Sequence, residues 1–174
     1  AGLVLAAGGG RRYGGPKALV RHEGSLLVER AVATVREGGC APIFVVVGAA
    51  SADVRTQARL GDVTFVENAG WKSGMGSSLR VGLEALGGAT DADSVVVLLV
   101  DTPGVTAEAV RRVAAKAGRD SLVAATYGPR RGHPVQHRQA GQRGAGAPYP
   151  APAGHLDPLA TGPVQRLDQR RPEP

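Results

Sequence analysis

Short apolar runs alternate with amphipathic segments along most of this 174-residue chain. The runs at residues 3–7, 43–47, 63–66, 95–100 and 121–126 carry few polar side chains, which is typical of strands buried on both faces. Helices are predicted between them, from a cap at Ser25 to Gly38, over 51–60, over 76–86, and from a cap at Thr106 to about residue 117. This alternation predicts an α/β fold, a three-layer Rossmann-like and mostly parallel sheet with helices on both faces.

A glycine-rich loop follows the first apolar run. It contains Gly8, Gly9, Gly10, Arg11, Arg12, Gly14, Gly15 and Lys17. Glycines let the backbone approach a ligand closely because no Cβ stands in the way, and consecutive N–H groups can form a nest that binds an anion. Guanidinium and ammonium groups on the same loop add fixed positive charge. The loop therefore indicates a binding site for a polyphosphate.

Two common glycine loops do not fit this stretch. The dinucleotide fingerprint needs glycine at its first, third and sixth places, but the sixth place counted from Gly8 is Tyr13. The P-loop needs Ser or Thr directly after its lysine, whereas Lys17 is followed by Ala18. Neither a dinucleotide fold nor a P-loop NTPase is therefore predicted.

One acidic residue lies where a ligand of such a sheet would bind. Ligands of open α/β sheets sit beyond the carboxyl ends of the strands. Asp101 directly follows the run 95–100, whereas Asp91 and Asp93 precede it and are expected in a solvated loop. If the first run and this run are neighbouring strands, Asp101 is level with the loop.

The loop resembles the signature of the MobA-like nucleotidyltransferases, Leu-Ala-Ala-Gly-x-Gly-x-Arg-x-Gly-x-x-Lys. The residues that fill it in register are Leu5, Ala6, Ala7, Gly8, Gly10, Arg12, Gly14 and Lys17. Tyr13 stands where Met is usual, which is a mild departure. Strand, spacing, arginine and lysine all agree, so the match is more specific than a bare glycine run.

Three later segments are similar to elements of the same family. Residues 101–103 (Asp-Thr-Pro) are similar to its Asp-x-Pro element, whose carboxylate holds magnesium. Residues 68–79 are similar to the Asn-x-x-Trp-x-x-Gly-Met-x-x-Ser-Leu segment of the molybdenum cofactor cytidylyltransferase (MocA-like) branch. Residues 132–134 are similar to the Gly-His-Pro that members carry near the acceptor pocket. The resemblance covers residues 3–135.

The resemblance implies an Mg²⁺-dependent nucleotidyltransferase that moves a nucleoside monophosphate from a nucleoside triphosphate to a phosphate-bearing acceptor and releases pyrophosphate. It implies catalytic roles for Arg12, Lys17 and Asp101, with the metal on Asp101, and acceptor binding by His133. The nucleotide-binding residues it implies are Leu5, Ala6, Ala7, Gly8, Gly9, Gly10, Met75, Gly76, Ser77 and Ser78. Members with Leu-Ala-Ala-Gly tend toward CTP, which favours CTP, a pterin-type acceptor such as molybdopterin, and a molybdoenzyme as a partner.

Alternatives to these roles stay open. Ser77 and Ser78 can bind a base edge or phosphate at a helix N-terminus, or simply cap the helix, while Trp71 is expected to be a packing residue. The chain could also be a sugar-phosphate or polyol-phosphate nucleotidyltransferase, or a module that holds a nucleotide or cofactor without transferring anything. An RNA-binding arm is disfavoured, because Tyr149 is the one aromatic residue among the carboxyl-terminal arginines.

The carboxyl-terminal segment differs in composition from the rest of the chain. Nine of the twelve prolines lie in residues 129–174, where seven arginines and three acids supply +4 of the net charge of +6. Residues 1–137 are therefore predicted to be the nucleotidyltransferase domain, incomplete at its carboxyl end. Residues 138–174 are predicted to be a disordered Pro/Gly/Arg-rich tail or the product of a shifted reading frame. Cys40 is the single cysteine, and no run could span a bilayer, so a cytoplasmic protein is expected.

Overall fold

The structure is a computed structural model that describes residues 1–11, 13–116, 123–127, 130–138 and 165–168. Its strands are β1 (Gly2–Leu5), β2 (Arg21–His22), β3 (Ser25–Leu26), β4 (Ile43–Val47), β5 (Thr64–Glu67), β6 (Ser94–Leu99), β7 (Val123–Tyr127), β8 (Arg130–Arg138) and β9 (Gln165–Asp168). Its α-helices are α1 (Leu27–Glu37), α2 (Ser51–Gln57), α3 (Met75–Ala89) and α4 (Ala107–Ala115). Single 3-10 turns cover Lys17–Leu19 and Trp71–Ser73.

Seven of the described strands form one sheet, in the order β5-β4-β1-β6-β8-β7-β9. β8 runs antiparallel to both of its neighbours, β6 and β7, and every other pairing in this sheet is parallel. β2 and β3 form a separate two-stranded hairpin. The sheet is therefore mostly parallel, as the run of apolar segments predicts.

Helices cover both faces of this sheet. Val28 of α1 and Val110 of α4 pack with Val4 of β1 on one face. Leu86 of α3 packs with Leu3 of β1 on the other face. Successive side chains of a strand point to opposite faces, so β1 contributes to two cores at once, and all four of its residues are buried. The predicted α/β fold class is confirmed.

The start of α1 differs from the prediction. Ser25 lies in β3 and does not cap the helix; the residue before the first turn is Leu26. Its backbone N–H donates to Glu29 Oε2 at 2.8 Å, and the other oxygen of this carboxylate accepts from the N–H of Arg59, also at 2.8 Å. One glutamate therefore satisfies a free N–H at the start of α1 and ties α1 to the segment after α2. The cap predicted at Thr106 is confirmed, since its hydroxyl accepts from the N–H of Ala109.

These contacts make Glu29 a source of pH-dependent stability. Partial burial acts to raise the pKa of Glu29, but the N–H groups of Arg59 and Leu26 and the charges of Arg21 and Arg59 outweigh it and hold the pKa below its ordinary value of 4.5. A carboxyl group whose pKa is lower in the folded than in the unfolded chain stabilises the fold fully above the unfolded pKa. It loses that contribution as the pH falls through the folded pKa.

We expect Glu29→Gln to lower the free energy of unfolding by about 1–2 kcal/mol at neutral pH, because two N–H groups lose an ionised acceptor. The difference from the unsubstituted chain should shrink as the pH falls below the ordinary pKa and through the lower pKa of the folded chain, where the carboxylate becomes protonated. Urea unfolding at neutral and at acid pH measures both values. Glu84→Gln is the control, because Glu84 pairs with exposed Arg80 on α3. A Glu29→Gln effect of the same size at every pH would contradict the assignment.

The carboxyl-terminal strands complete the described structure. β8 lies between β6 and β7, and β9, which comes from the segment predicted as a tail, pairs with β7. The domain boundary after residue 137 stays a prediction. Among the described residues, no helix has both the length and the apolar character needed to cross a bilayer.

Candidate active site

Two oppositely charged side chains meet at the carboxyl edge of the sheet. Lys17 Nζ lies 2.8 Å from Asp101 Oδ2, and the two side chains are 40% and 39% exposed. Their meeting follows from the parallel pairing of β1 with β6, in which Leu5 stands opposite Leu99. The segments that leave these two strands therefore begin side by side, and residues 84 positions apart come into contact.

Lys17 is held on a short, well-anchored turn. It opens the 3-10 turn after Pro16, with Leu19 N–H donating to the Pro16 carbonyl and Val20 N–H to the Lys17 carbonyl, each at 3.1 Å. Ala18 is 1% exposed and fixes the turn to the core that contains α1. The backbone of Lys17 is therefore fixed while its ammonium group faces solvent.

Asp101 is positioned by a tight turn at the end of β6. The hydroxyl of Thr102 donates to the Leu99 carbonyl at 2.7 Å, and Val105 N–H donates to the Thr102 carbonyl at 3.1 Å. Val100 and Val105 are buried on either side of the turn. Within the described part of the chain, Oδ1 of Asp101 makes no hydrogen bond, so one oxygen of the type that Mg²⁺ prefers is available.

The glycine loop begins inside the sheet and ends at its surface. Ala6 and Ala7 are buried, with Ala6 N–H donating to Val46 and the Ala7 carbonyl accepting from Ala49. Gly10 has a φ of 60°, and its carbonyl accepts from the N–H groups of Tyr13 and Gly14. A Cβ at Gly10 would overlap the carbonyl of Gly15, so a side chain fits neither the backbone conformation nor the space. Arg12, predicted to act in catalysis, lies outside the described residues.

The segment 68–78 packs against this loop. Asn68 is 3% exposed, and its side-chain NH₂ donates to Ser77 Oγ at 2.9 Å and to Ser78 Oγ at 3.0 Å. A Cβ on Gly9 would lie 2.9 Å from the ring of Trp71, and a Cβ on Gly48 would lie 2.8 Å from the Cβ of Trp71. Trp71 is thus a packing residue, as predicted, and it requires glycine at both positions.

The two serines differ in how accessible they are. Ser78 is 5% exposed and joins the buried contact with Asn68, whereas Ser77 is half-buried and also donates to the Gly74 carbonyl at 2.8 Å. Met75, in the first turn of α3, is 49% exposed. Through Asn68, both hydroxyls hold the start of α3 against the end of β5. Met75 has an exposed apolar side chain beside them.

The remaining predicted residue is His133, which lies in β8; its side chain lies outside the described part of the structure. No group of three or more His, Cys, Asp or Glu side chains that could hold a metal occurs within the described ranges. A metal at this site would therefore depend on Asp101 together with ligand and water oxygens.

A cavity of about 320 Å³ opens beside the ion pair. Lys17 and Asp101 line it together with Tyr13, Arg21, His22 and Pro103. The sequence indicates no role for Arg21 or His22, because it predicts no hairpin between Lys17 and α1. Tyr13, which stands where Met is usual in the signature, is 60% exposed and lines the same cavity.

Comparison with known families matches residues 2–150 to the MobA-like NTP transferase domain. The chain belongs to this family. The signature loop from Leu5 to Lys17 and the turn at Asp101 both lie inside the matched region, so the ion pair is part of the MobA-like domain.

Curated relatives of this MobA-like domain have several different names. The chain is 39% identical over 142 residues to the nicotine blue oxidoreductase of Paenarthrobacter nicotinovorans, covering 77% of this chain and 68% of that protein. It is 36% identical over 116 residues to the bifunctional protein GlmU of Streptomyces avermitilis, covering 65% and 24%. It is 31% identical over 115 residues to the probable molybdenum cofactor guanylyltransferase of Bacillus cytotoxicus, covering 65% and 54%. The chain thus spans about a quarter of the GlmU protein and about half of the guanylyltransferase.

Solved structures share the fold. Rv0371c from Mycobacterium tuberculosis superposes with a TM-score of 0.76 at 24% identity, covering 97% of this chain and 86% of that one. A second structure of the same protein, a complex with manganese, superposes at 0.74 with 23% identity, covering 97% and 86%. At this level of identity the likeness shows the architecture of the MobA-like domain and nothing finer.

Proposed function

We propose that this chain transfers a nucleoside monophosphate, CMP in preference, from a nucleoside triphosphate to a phosphate-bearing acceptor such as molybdopterin. The observation that carries the proposal is the 2.8 Å contact between Lys17 and Asp101 at the exit of the glycine loop. An ammonium group that can bind phosphate oxygens and a carboxylate that can bind a divalent metal are then in direct contact. That pairing suits a phosphate chain and has no evident purpose in folding, since exposed ion pairs contribute little stability.

In the proposed reaction, an oxygen of the acceptor's phosphate attacks the α-phosphorus of the nucleotide. The bond between the α-phosphorus and the bridging oxygen breaks, and pyrophosphate leaves with the electron pair. Catalysis of such a transfer consists mainly of positioning and charge neutralisation. The backbone of residues 8–10 and Arg12 would cradle the triphosphate, and the Lys17 ammonium would neutralise charge on the α-phosphate and the leaving group.

Asp101 is the residue proposed to hold Mg²⁺. Its carboxylate is partly exposed, it lies at the edge where strands end, and one of its oxygens has no hydrogen-bond partner within the described part of the chain. A bound Mg²⁺ supplies positive charge to phosphate oxygens and fixes their geometry. The ion pair holds Lys17 in place before ligands arrive, and a metal on Asp101 would leave the ammonium to the phosphates.

The preference for CTP rests on the resemblance of the loop at Ala6 and Ala7. The base would lie beside Met75, Gly76 and Ser77, near the start of α3, where an exposed apolar side chain and a helix N-terminus adjoin. Ser78 would hold this segment in place, because its buried hydroxyl accepts a hydrogen bond from Asn68. His133 is proposed to contact the acceptor.

A pyrophosphate-release assay with each of the four nucleoside triphosphates tests the proposal. The acceptors are molybdopterin, a sugar 1-phosphate and a polyol phosphate, and we expect the highest rate with CTP and molybdopterin. Faster release with a sugar or polyol phosphate would favour the related sugar nucleotidyltransferases instead. Tight binding of CTP with Mg²⁺ but no release with any acceptor would identify a non-catalytic module and contradict the proposal.

A second candidate function is favoured by one observation, the 39% identity to nicotine blue oxidoreductase. In that case the same cavity would hold a small organic substrate for oxidation or reduction. A change in the absorption spectrum of nicotine blue on incubation with the chain and a two-electron donor or acceptor, with no pyrophosphate release in the nucleotide assay, would support this candidate over nucleotidyl transfer.

A further inference from the structure

The cavity beside the ion pair contains two basic side chains that the proposed reaction has not yet used. Arg21 and His22 form β2 and line this cavity together with Lys17 and Asp101. We propose that Arg21 and His22 form a second anion subsite, which takes the pyrophosphate end of the nucleotide and holds it as it leaves. This inference rests on the proposed function, and it names residues for the far end of the phosphate chain.

The hairpin presents these side chains from a fixed base. Leu26 pairs with Arg21 across the hairpin and is 3% exposed, and Leu27 N–H donates to the Val20 carbonyl at 2.9 Å. Both residues of β2 are exposed, although the strand itself is tied to the core through its partner. One terminal nitrogen of Arg21 donates to the Gly24 carbonyl at 3.0 Å, which orients the guanidinium. Its charge also acts on Glu29, but among the described residues its other N–H groups make no hydrogen bond and can bind a ligand.

Charge favours an anion in this cavity. Lys17 and Arg21 are positive and the imidazole of His22 adds a donor, whereas Asp101 is the one acidic side chain among the described residues that line the cavity. A divalent cation on Asp101 would make the cavity more positive still. The planar fork of an arginine matches the oxygens of a phosphate, and bonds between such charged partners are about twice as strong as neutral ones.

The cavity and α3 lie on opposite faces of the sheet. The base and the terminal phosphates of a bound nucleotide would therefore lie on different sides of the sheet edge. The segment 68–78, whose residues 75–77 are proposed to contact the base, packs on the sheet face that α3 covers. Val20 and Leu27, which also line the cavity, pack with the core on the opposite face, under α1. A nucleotide whose base lies on the α3 side and whose α-phosphate lies at Lys17 would extend its terminal phosphates toward Arg21.

Calorimetric titration with inorganic pyrophosphate alone, in the presence and absence of Mg²⁺, tests the subsite. We expect Arg21→Gln to weaken pyrophosphate binding about five- to tenfold, and His22→Gln to weaken it about threefold, as for partly exposed charge-assisted contacts. Arg80→Gln is the matched control, since it removes the same charge from the exposed surface of α3 and should change binding less than about twofold. Thermal unfolding checks that each variant is folded.

Failure of this inference differs from failure of the proposed reaction. If the unsubstituted chain does not bind pyrophosphate, or if both variants bind it as well as the control does, the subsite assignment is wrong whatever the chain catalyses. If the variants instead raise the KM for the acceptor and leave inhibition by pyrophosphate unchanged, the cavity belongs to the acceptor and the inference is again wrong. If binding changes as expected but no nucleotide supports turnover, the subsite stands and the proposed function fails.

Discussion

Replacing Lys17 by alanine is expected to slow nucleotidyl transfer by about 10²–10³-fold, because the transition state loses one preorganised donor at a site of developing negative charge. This loss corresponds to about 2.7–4 kcal/mol in the activation barrier. The same substitution should change the free energy of unfolding by less than about 1 kcal/mol, because the ion pair that it removes is 40% exposed on the lysine side. Initial rates of pyrophosphate release and urea unfolding measure the two effects separately.

A second lysine provides the control for this prediction. Lys72 lies over the ring of Trp71, with its ammonium 5.7 Å from the ring centroid, and it lies in the 3-10 turn that precedes α3. Lys72→Ala removes the same charge and should leave the rate within about a factor of three, since an exposed cation–π contact is worth about 0.5–1 kcal/mol. Full activity of Lys17→Ala, or equal losses in both variants, would show that Lys17 has no specific role with the phosphates.

Much of the arrangement around Lys17 could be predicted from the sequence, because it depends on backbone topology. Apolar runs buried on both faces require a sheet covered on both sides, and parallel strands bring their following loops to one edge. The prediction that Asp101 would be level with the glycine loop needed only β1 and β6 to be neighbours, and they are. That pairing places Asp101 beside the start of the loop, and the turn at Lys17–Leu19 holds Lys17 in contact with it.

The hairpin could not be predicted in this way. β2 and β3 have two residues each, and Arg21 and His22 are both polar and exposed. Such a short polar strand shows no alternation of apolar and polar side chains. The start of α1 was missed for a related reason. Ser25 looked like a cap by residue type, but the N–H before the helix is satisfied by Glu29, three residues after Leu26.

The segment 68–78 shows the limit of residue type as a guide to role. Asn68, Ser77 and Ser78 are polar and lie near the loop, yet their mutual hydrogen bonds hold α3 against β5. Whether a serine faces a ligand or a neighbouring side chain depends on packing, which spacing along the chain does not reveal. The burial of Asn68 is what distinguishes a structural amide from a ligand-binding one here.

Asp101→Asn is expected to abolish the effect of Mg²⁺ on nucleotide binding and to slow turnover by about 10³-fold, as for the loss of several kcal/mol of charge stabilisation by a metal. Asparagine keeps the size and one oxygen of the side chain but removes the charge that attracts the cation. The substitution also removes the carboxylate that neutralises Lys17 at 2.8 Å. Without metal, CTP should therefore bind the variant at least as tightly as it binds the unsubstituted chain, whereas with metal it should bind the variant more weakly.

This reversal separates a metal-binding role from a merely structural one. Calorimetric titration of CTP with and without Mg²⁺ gives four affinities, and their ratios do not depend on whether the chain turns over. Asp93→Asn is the control, because Asp93 is exposed and lies one residue before β6, at the opposite end of the strand from Asp101. If Asp101→Asn showed the same gain in CTP affinity on adding Mg²⁺ as Asp93→Asn does, the metal would bind elsewhere. The ion pair with Lys17 would then serve only to hold the two loops together.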